Sequence, residues 1–241
     1  MRNDDRAIIE EQIRYYDHRA SEYDDTFDLD GDSTKHGAEL CAALDAFSAR
    51  GKVLELACGT GKWTSRLVTA ADSLTAVDAS PAMLALNRHK VGDPRVHYER
   101  ADIFEWEPAG RRYDVVTFFF WLSHVPPRCF DSFWQLVERC LSPGGRVFFG
   151  DEARHDYWDE EYVTRADVPV VRRRLKDGSE HRAVKVFWEP DDLERELARL
   201  GWSVQVHSTG VFYWGSGGRA SQPLITPTGR RRATTLDKPA P

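Results

Sequence analysis

An α/β fold, with a mostly parallel sheet covered by helices on both faces, is what this sequence predicts, and three observations predict it. Runs such as KVLELA and YDVVTFFFW are apolar almost throughout instead of alternating, as strands buried on both faces must be. These runs alternate with stretches of helical spacing, the pattern of strand-helix-strand units. The chain has 241 residues with 41% apolar content, which suits one core of α/β size and leaves little for a second full domain.

The elements follow in order. Residues 5–22 place Ile8, Ile9, Ile13, Tyr16 and Ala20 at helical spacing and run into the acidic, turn-prone DDTFDLDGDS. A helix is expected over 34–49, before the strand KVLELA. Next come a helix over 62–70, strand SLTAVDA, a helix over 81–90, strands VHYERAD and YDVVTFFFW, a helix over 128–141, and strand RVFFGDE. After Glu152 the alternation stops. In VVRRRLKDGSEHRAVKVF two β-rich runs flank Asp177-Gly178, a hairpin inserted before a helix over 190–200. WSVQVHS and VFYWG read as an antiparallel pair at the sheet edge. The expected boundaries are therefore one domain over 1–215, with an N-terminal helical segment over 1–33, an insertion over 153–189, and a disordered tail over 216–241. The tail is rich in Gly, Pro and Thr, and its Arg230 to Arg232 run reads as solvated charge.

Composition removes several functional classes. A net charge of −6 argues against a broad nucleic-acid surface. No apolar run approaches the roughly 18 residues a membrane span needs, and MRNDDRAIIEEQ lacks the apolar centre of a signal peptide, so a cytoplasmic protein without a membrane partner is expected. Cys41, Cys58, Cys129 and Cys140 form no CxxC pair and read as reduced thiols; no metal site is expected.

The chemistry concentrates at strand ends. In VLELACGTGKW, Gly59 and Gly61 let backbone approach a ligand after the first strand. Thr64 stands where a dinucleotide loop would carry its third glycine, and Glu55, within the strand, suits a ligand with cationic character. Asp78 ends the second strand 19 positions after Gly59, near the spacing at which an acid accepts ribose hydroxyls; DASPAML also reads as a helix start capped by Asp78 or Ser80. RAD puts Asp102 after the third strand, in reach of an adenine amino group.

Taken together, ELACGTG, AVDASPAML, ADIFEW and WLSHVPPRCFDSFWQLVERCLSPGGRVFF resemble the successive motifs of class I S-adenosylmethionine-dependent methyltransferases, over about residues 10–214. The resemblance implies a Rossmann-like seven-stranded sheet, S-adenosyl-L-methionine as cofactor and S-adenosyl-L-homocysteine as product. It sets the glycine loop beside the methionine portion with Glu55 answering the sulfonium, Asp78 on the ribose, Met83 on the adenine, and Asp102 and Ile103 at the adenine edge. Ala57, Trp63, Ala79 and Phe119 complete the implied cofactor set. The N-terminal helix becomes a lid, with Tyr15 and Tyr23 facing the cofactor; Tyr16 and Ile13 can instead pack the helix on the sheet.

YYDHRASEYDDTF, VLELACGTGKWT, WLSHVP, and LKDG followed by VKVF resemble more narrowly the phosphonate O-methyltransferases of dehydrophos biosynthesis and their actinobacterial relatives. His124 then serves as general base, orients an ionised oxygen, or satisfies a backbone carbonyl. Trp121 is pocket wall or core. A two-residue loop at Asp177-Gly178 would set Arg173 opposite Arg182; a glycine bulge would shift the register and put Arg173 and Lys185 on one face. Either way the insertion caps a substrate with Arg173, Arg182 and Lys185. Asp30 departs from the pattern, standing where those enzymes carry a substrate-contacting tyrosine. The expected activity is methyl transfer to an oxygen of a small anionic phosphonate or carboxylate, a natural product or metabolite, by a monomer or homodimer. The alternatives are phenol or alcohol O-methylation or N-methylation with His124 as base, and a non-catalytic cofactor-binding protein.

Overall fold

A computed structural model describes residues 2–26, 35–154, 160–164 and 167–220; Asp30, the Arg230 to Arg232 run and everything from residue 221 lie outside the described residues. The N-terminal segment is helix α1 (Asn3–Arg19), a 3-10 turn (Ala20–Glu22) and the short α2 (Tyr23–Thr26). The body then runs α3 (Lys35–Phe47), β1 (Lys52–Leu56), α4 (Lys62–Leu67), β2 (Ser73–Asp78), α5 (Pro81–Val91), β3 (Val96–Arg100), β4 (Tyr113–Phe119), α6 (Phe130–Cys140) and β5 (Leu141–Glu152). The insertion carries β6 (Tyr162–Thr164), β7 (Val170–Arg174) and β8 (Glu180–Val184), and the chain closes with α7 (Pro190–Arg199), β9 (Trp202–Ser208) and β10 (Phe212–Arg219).

Seven strands form one sheet in the order β3-β2-β1-β4-β5-β10-β9. The first five are mutually parallel, and β10 runs antiparallel to both β5 and β9, so the expected sheet and its antiparallel edge are present. Strand order reverses between β1 and β4, the place where this architecture opens a crevice at the carboxyl ends. Successive strand residues serve opposite faces. Leu54, Leu56, Phe118 and Phe149 pack under α6 and α7, while Val53, Val115, Phe119 and Phe148 pack under α3, α4 and α5. The apolar residues of α6 (Phe130, Phe133, Trp134, Val137) recur at three- and four-residue spacing and are all buried.

The expected tail boundary is wrong. Residues 216–219 belong to β10, pairing Ser216 with Phe148 and Gln205, and Gly217 with Val147 and Val204. A Cβ on Gly217 would lie 2.0 Å from the Ser203 carbonyl oxygen, so glycine here allows close strand approach where composition alone reads as linker.

The insertion is a three-stranded antiparallel sheet, one strand more than the hairpin expected. Its β7-β8 pairing sets Arg172 opposite Arg182 and Arg173 opposite His181, the glycine-bulge register, with Gly178 at φ +86° closing the loop. The Arg172–Arg182 juxtaposition is relieved by acids: Arg172 bonds Glu161 and Glu180, and Arg182 bonds Glu11 of α1 at 2.7 Å. No helix among the described residues is long and apolar enough to cross a membrane.

Candidate active site

A cavity opens at the switch point and is floored by strand-end residues: Ala57 and Gly59 after β1, Asp78 and Ala79 after β2, Asp102 and Ile103 after β3, Phe119 to Trp121 after β4. The Asp78 carboxylate accepts the Gly59 N–H at 2.9 Å and the Ser80 N–H at 2.9 Å. A carboxylate offers about four acceptor positions, so positions remain for ribose hydroxyls. Burial raises the Asp78 and Asp102 carboxyls above the usual carboxylate range, against the backbone N–H bonds that lower them.

The loop itself is braced from behind. Thr64 Oγ1 donates to Glu55 Oε2 at 2.6 Å, and Asn87 Nδ2 donates to Thr64 Oγ1 at 2.8 Å and to the Cys58 and Gly59 carbonyls. Gly61 sits at φ +92°, and a Cβ there would come within 2.7 Å of the Asn87 side chain. Burial pushes the Glu55 carboxyl up to about 8.

Helix α1 roofs the cavity with one face, Ile9, Gln12, Ile13 and Tyr16, followed by Tyr23. Acids of α1 and α2 tie this roof to the floor. Asp17 accepts from Ser80 Oγ at 2.6 Å and from Ala82 N–H, and Asp24 accepts from Thr60 Oγ1 and Lys90. Gln12 bridges to the turn after β4 and to the insertion, donating to the His124 carbonyl and accepting the Val184 N–H at 3.0 Å.

A second cavity adjoins the first, sharing Tyr16, Tyr23, Phe120 and His124 with it and adding Tyr15, Arg19, Glu152, Glu160, Arg173 and Lys185. Phe120 reaches the shared wall from a left-handed backbone, φ +53°, with its N–H on the Gly150 carbonyl. His124 Nδ1 is 2.7 Å from the Val184 carbonyl and Nε2 is 2.7 Å from Tyr16 Oη. Because a carbonyl only accepts, the ring proton lies on Nδ1, and Nε2 of the neutral ring accepts a hydrogen bond from the Tyr16 hydroxyl. Burial, and then the nearby Lys185, drive the His124 pKa well below its ordinary value. Burial likewise raises the Tyr16 hydroxyl well above its usual range. Arg173 forms a two-bond ion pair with Glu160, and Lys185 pairs with Glu152.

Comparison with known proteins shows the family. The chain is 39% identical to the protein of the DhpI–SAH complex structure, with TM-score 0.77 over 89% of this chain and 98% of that one. It is 38% identical in the DhpI–SAM–HEP complex, with TM-score 0.74 over 87% and 96%. This chain belongs to the class I S-adenosylmethionine-dependent methyltransferases. The family described as methyltransferase domain matches residues 53–145. Among curated proteins, demethylmenaquinone methyltransferase of Clavibacter sepedonicus is 33% identical over 125 residues, 51% of this chain and 45% of that protein. The 27-O-demethylrifamycin SV methyltransferase of Amycolatopsis mediterranei is 28% identical over 128 residues, 50% of this chain and 45% of that protein. The chain thus spans about half the length of the curated relatives it matches.

The methyltransferase cofactor, S-adenosylmethionine, fits the cavity as built. Asp78 keeps acceptor positions, and a Cβ added to Gly59 would meet nothing within 4 Å, so the space over it is open. Of the residues expected around it, Tyr23, Ala57, Gly59, Asp78, Ala79, Met83, Asp102, Ile103 and Phe119 line the cavity, as do Trp121 and His124.

Four expected cofactor residues do not line it. Glu55 shares the strand face of Val53, which packs under α4, and so it meets Thr64 instead of the ligand space. Gly61 packs on Asn87, Trp63 stacks behind Phe119 with ring centroids 4.0 Å apart, and Tyr15 turns to the second cavity. Arg182 is a further correction: in the bulge register it lies opposite Arg172, off the cavity face, and holds Glu11.

Sequence reasoning missed Gln12, Ser80, Arg19, Phe120, Glu152 and Glu160. Gln12 was findable, lying three residues after Ile9 and four before Tyr16 on one helix face. Glu152 was too, as the last residue of a strand. Glu160 follows no periodic signal. Among the described residues, no group of three or more His, Cys, Asp or Glu could hold a metal ion.

Proposed function

We propose that this methyltransferase delivers its methyl group to an oxygen of a small anionic acceptor, a phosphonate or carboxylate of natural-product or general metabolism in the cytoplasm, held in the second cavity. One observation carries this: a cavity with Arg19, Arg173 and Lys185 opens off the cofactor cavity across the wall formed by Tyr16, Tyr23, Phe120 and His124. When bound, S-adenosylmethionine supplies an electrophilic methyl on a sulfonium. The chain's own residues bind and orient. Arg173 and Lys185 hold the anion, the shared wall sets its oxygen toward the cofactor cavity, and α1 excludes water over both. An oxygen already ionised needs no base, so neutral His124 fixes the Tyr16 ring through its Nε2 and leaves the acceptor proton-free. Full-length likeness to a protein crystallised with SAM and HEP, and partial likeness to a rifamycin methyltransferase, support the assignment.

The test is kinetic. Arg173→Met and Lys185→Met should each raise the acceptor KM by more than tenfold while the dissociation constant for S-adenosylhomocysteine stays within threefold. Equal effects on both ligands would remove the assignment.

The Tyr16–His124 pair favours a neutral hydroxyl acceptor instead, since a proton given to Tyr16 Oη can be matched by one passed to His124 Nε2. With that chemistry Tyr16→Phe and His124→Ala would each abolish most turnover.

A further inference from the structure

We propose that the acceptor is a zwitterion, an amino acid or aminophosphonic acid whose ammonium is taken by Glu152 and Glu160 while its oxyanion is taken by Arg173 and Lys185. This rests on the second cavity being the acceptor site. The cavity holds both signs of charge in two pairs, Arg173 with Glu160 and Lys185 with Glu152. Three of the side chains are nearly withdrawn from water and Arg173 is partly so: side-chain exposures are 25% for Arg173 and 6% for Glu160, and 3% for Lys185 and 11% for Glu152.

Acceptor types differ in what they do to those pairs. A plain anion competes with Glu160 and Glu152 for the two cations and weakens the counter-charge of two buried acids, which costs binding. A neutral molecule leaves the pairs closed and makes no use of the charge. A zwitterion exchanges partners, so that every buried charge is matched before and after binding.

The aromatic lining points the same way. Tyr15, Tyr16 and Tyr23 wall the cavity, and the Arg19 guanidinium already lies 4.7 Å from the Tyr23 centroid and 5.7 Å from that of Tyr15, so these rings accept a cation at their faces.

The experiment uses the full chain with saturating S-adenosylmethionine and matched acceptors differing only in the amine: 1-aminoethylphosphonate against ethylphosphonate, and alanine against propionate. Binding is read by calorimetry on the S-adenosylhomocysteine complex and turnover by product release. The amine-bearing member should bind at least tenfold more tightly. Glu160→Gln should reduce that preference below threefold and tighten the amine-free member, because Arg173 is then released to it. Glu152→Gln gives the same comparison should the first variant fail to melt cooperatively. Equal binding of the two members overturns the zwitterion and leaves the anionic acceptor standing. Binding of neither member, with S-adenosylhomocysteine still bound, overturns both.

Discussion

The first cavity, which suits the cofactor, takes its shape from backbone and short side chains at the ends of β1, β2 and β3, whereas the second, proposed for the acceptor, is assembled from long charged side chains on α1, β5 and the insertion. In the first, Asp78 is held by N–H groups of Gly59 and Ser80 on adjacent loops of one sheet. In the second, Arg173 and Lys185 meet acids 13 and 33 residues away. A site fixed by the sheet keeps its geometry without ligand; a site fixed by ion pairs has partners to exchange. Substitutions should therefore separate the two.

Asp78→Ala is expected to give the largest effect. It removes the ribose acceptor and the brace of the glycine loop together, so affinity for S-adenosylhomocysteine should fall by about 100-fold or more, as expected for loss of several charge-assisted hydrogen bonds. Acceptor KM at saturating cofactor should change little. Calorimetry and initial rates check this, and a comparable loss in acceptor KM would mean that the cavities are not independent.

Tyr16→Phe sharpens the boundary between them. With an anionic acceptor, the hydroxyl only ties α1 to the turn holding His124, and turnover should fall by about tenfold or less, short of the 10²–10⁴ of a proton-transfer group. The rate should also stay level as pH falls through 6.5, since burial holds His124 neutral well below that point. A loss near 1000-fold would transfer the role to the Tyr16–His124 pair, and a sharp inflection near pH 6.5 would mean that burial does not hold His124 neutral.

The same division explains what was legible in the sequence. Gly59, Asp78 and Asp102 could be located because a parallel sheet puts each strand end at one edge, so motif spacing translates directly into position. Glu55 is misplaced along the strand: it lies inside β1, two residues before the cavity-lining Ala57, where parity with Val53 sends it under α4. Gly217 and Gly218 look like tail by composition, which does not distinguish flexibility from close strand pairing. The Glu160–Arg173 and Glu152–Lys185 pairs had no sequence signature, since they depend on how an insertion folds back over β5.

Glu55 itself gives a smaller, pH-dependent effect. Its folded pKa, about 8, lies above the ordinary 4.5, so the folded state keeps a proton that the unfolded chain releases between those values. That contribution is present in full below about pH 4.5 and is lost as pH rises to 8. Glu55→Gln, which stays neutral, removes the slope. Between pH 5 and 8 the wild type should lose on the order of 5 °C in Tm relative to the variant, measured without cofactor. Parallel melting curves across that range would place an ionised carboxylate beside Thr64 and would reopen a direct role toward the sulfonium.

Arg182→Ala should do least, and it isolates register from charge. Arg182 has the same charge as Arg173 and lies nine residues further along the hairpin, so a basic patch acting through its general field would lose acceptor affinity in either variant. In the observed register, however, Arg182 is on the far side of β8 and its guanidinium holds Glu11, with 54% of its side chain exposed. An exposed pair of that kind is worth about 0–1 kcal/mol, and its loss loosens only one of several ties between α1 and the insertion. Acceptor KM should stay within twofold at physiological salt, where Arg173→Met raises it more than tenfold. Similar increases for both variants would mean that the hairpin is shifted by one residue, in which case Arg173 would face Arg182 and the two together would form the clamp.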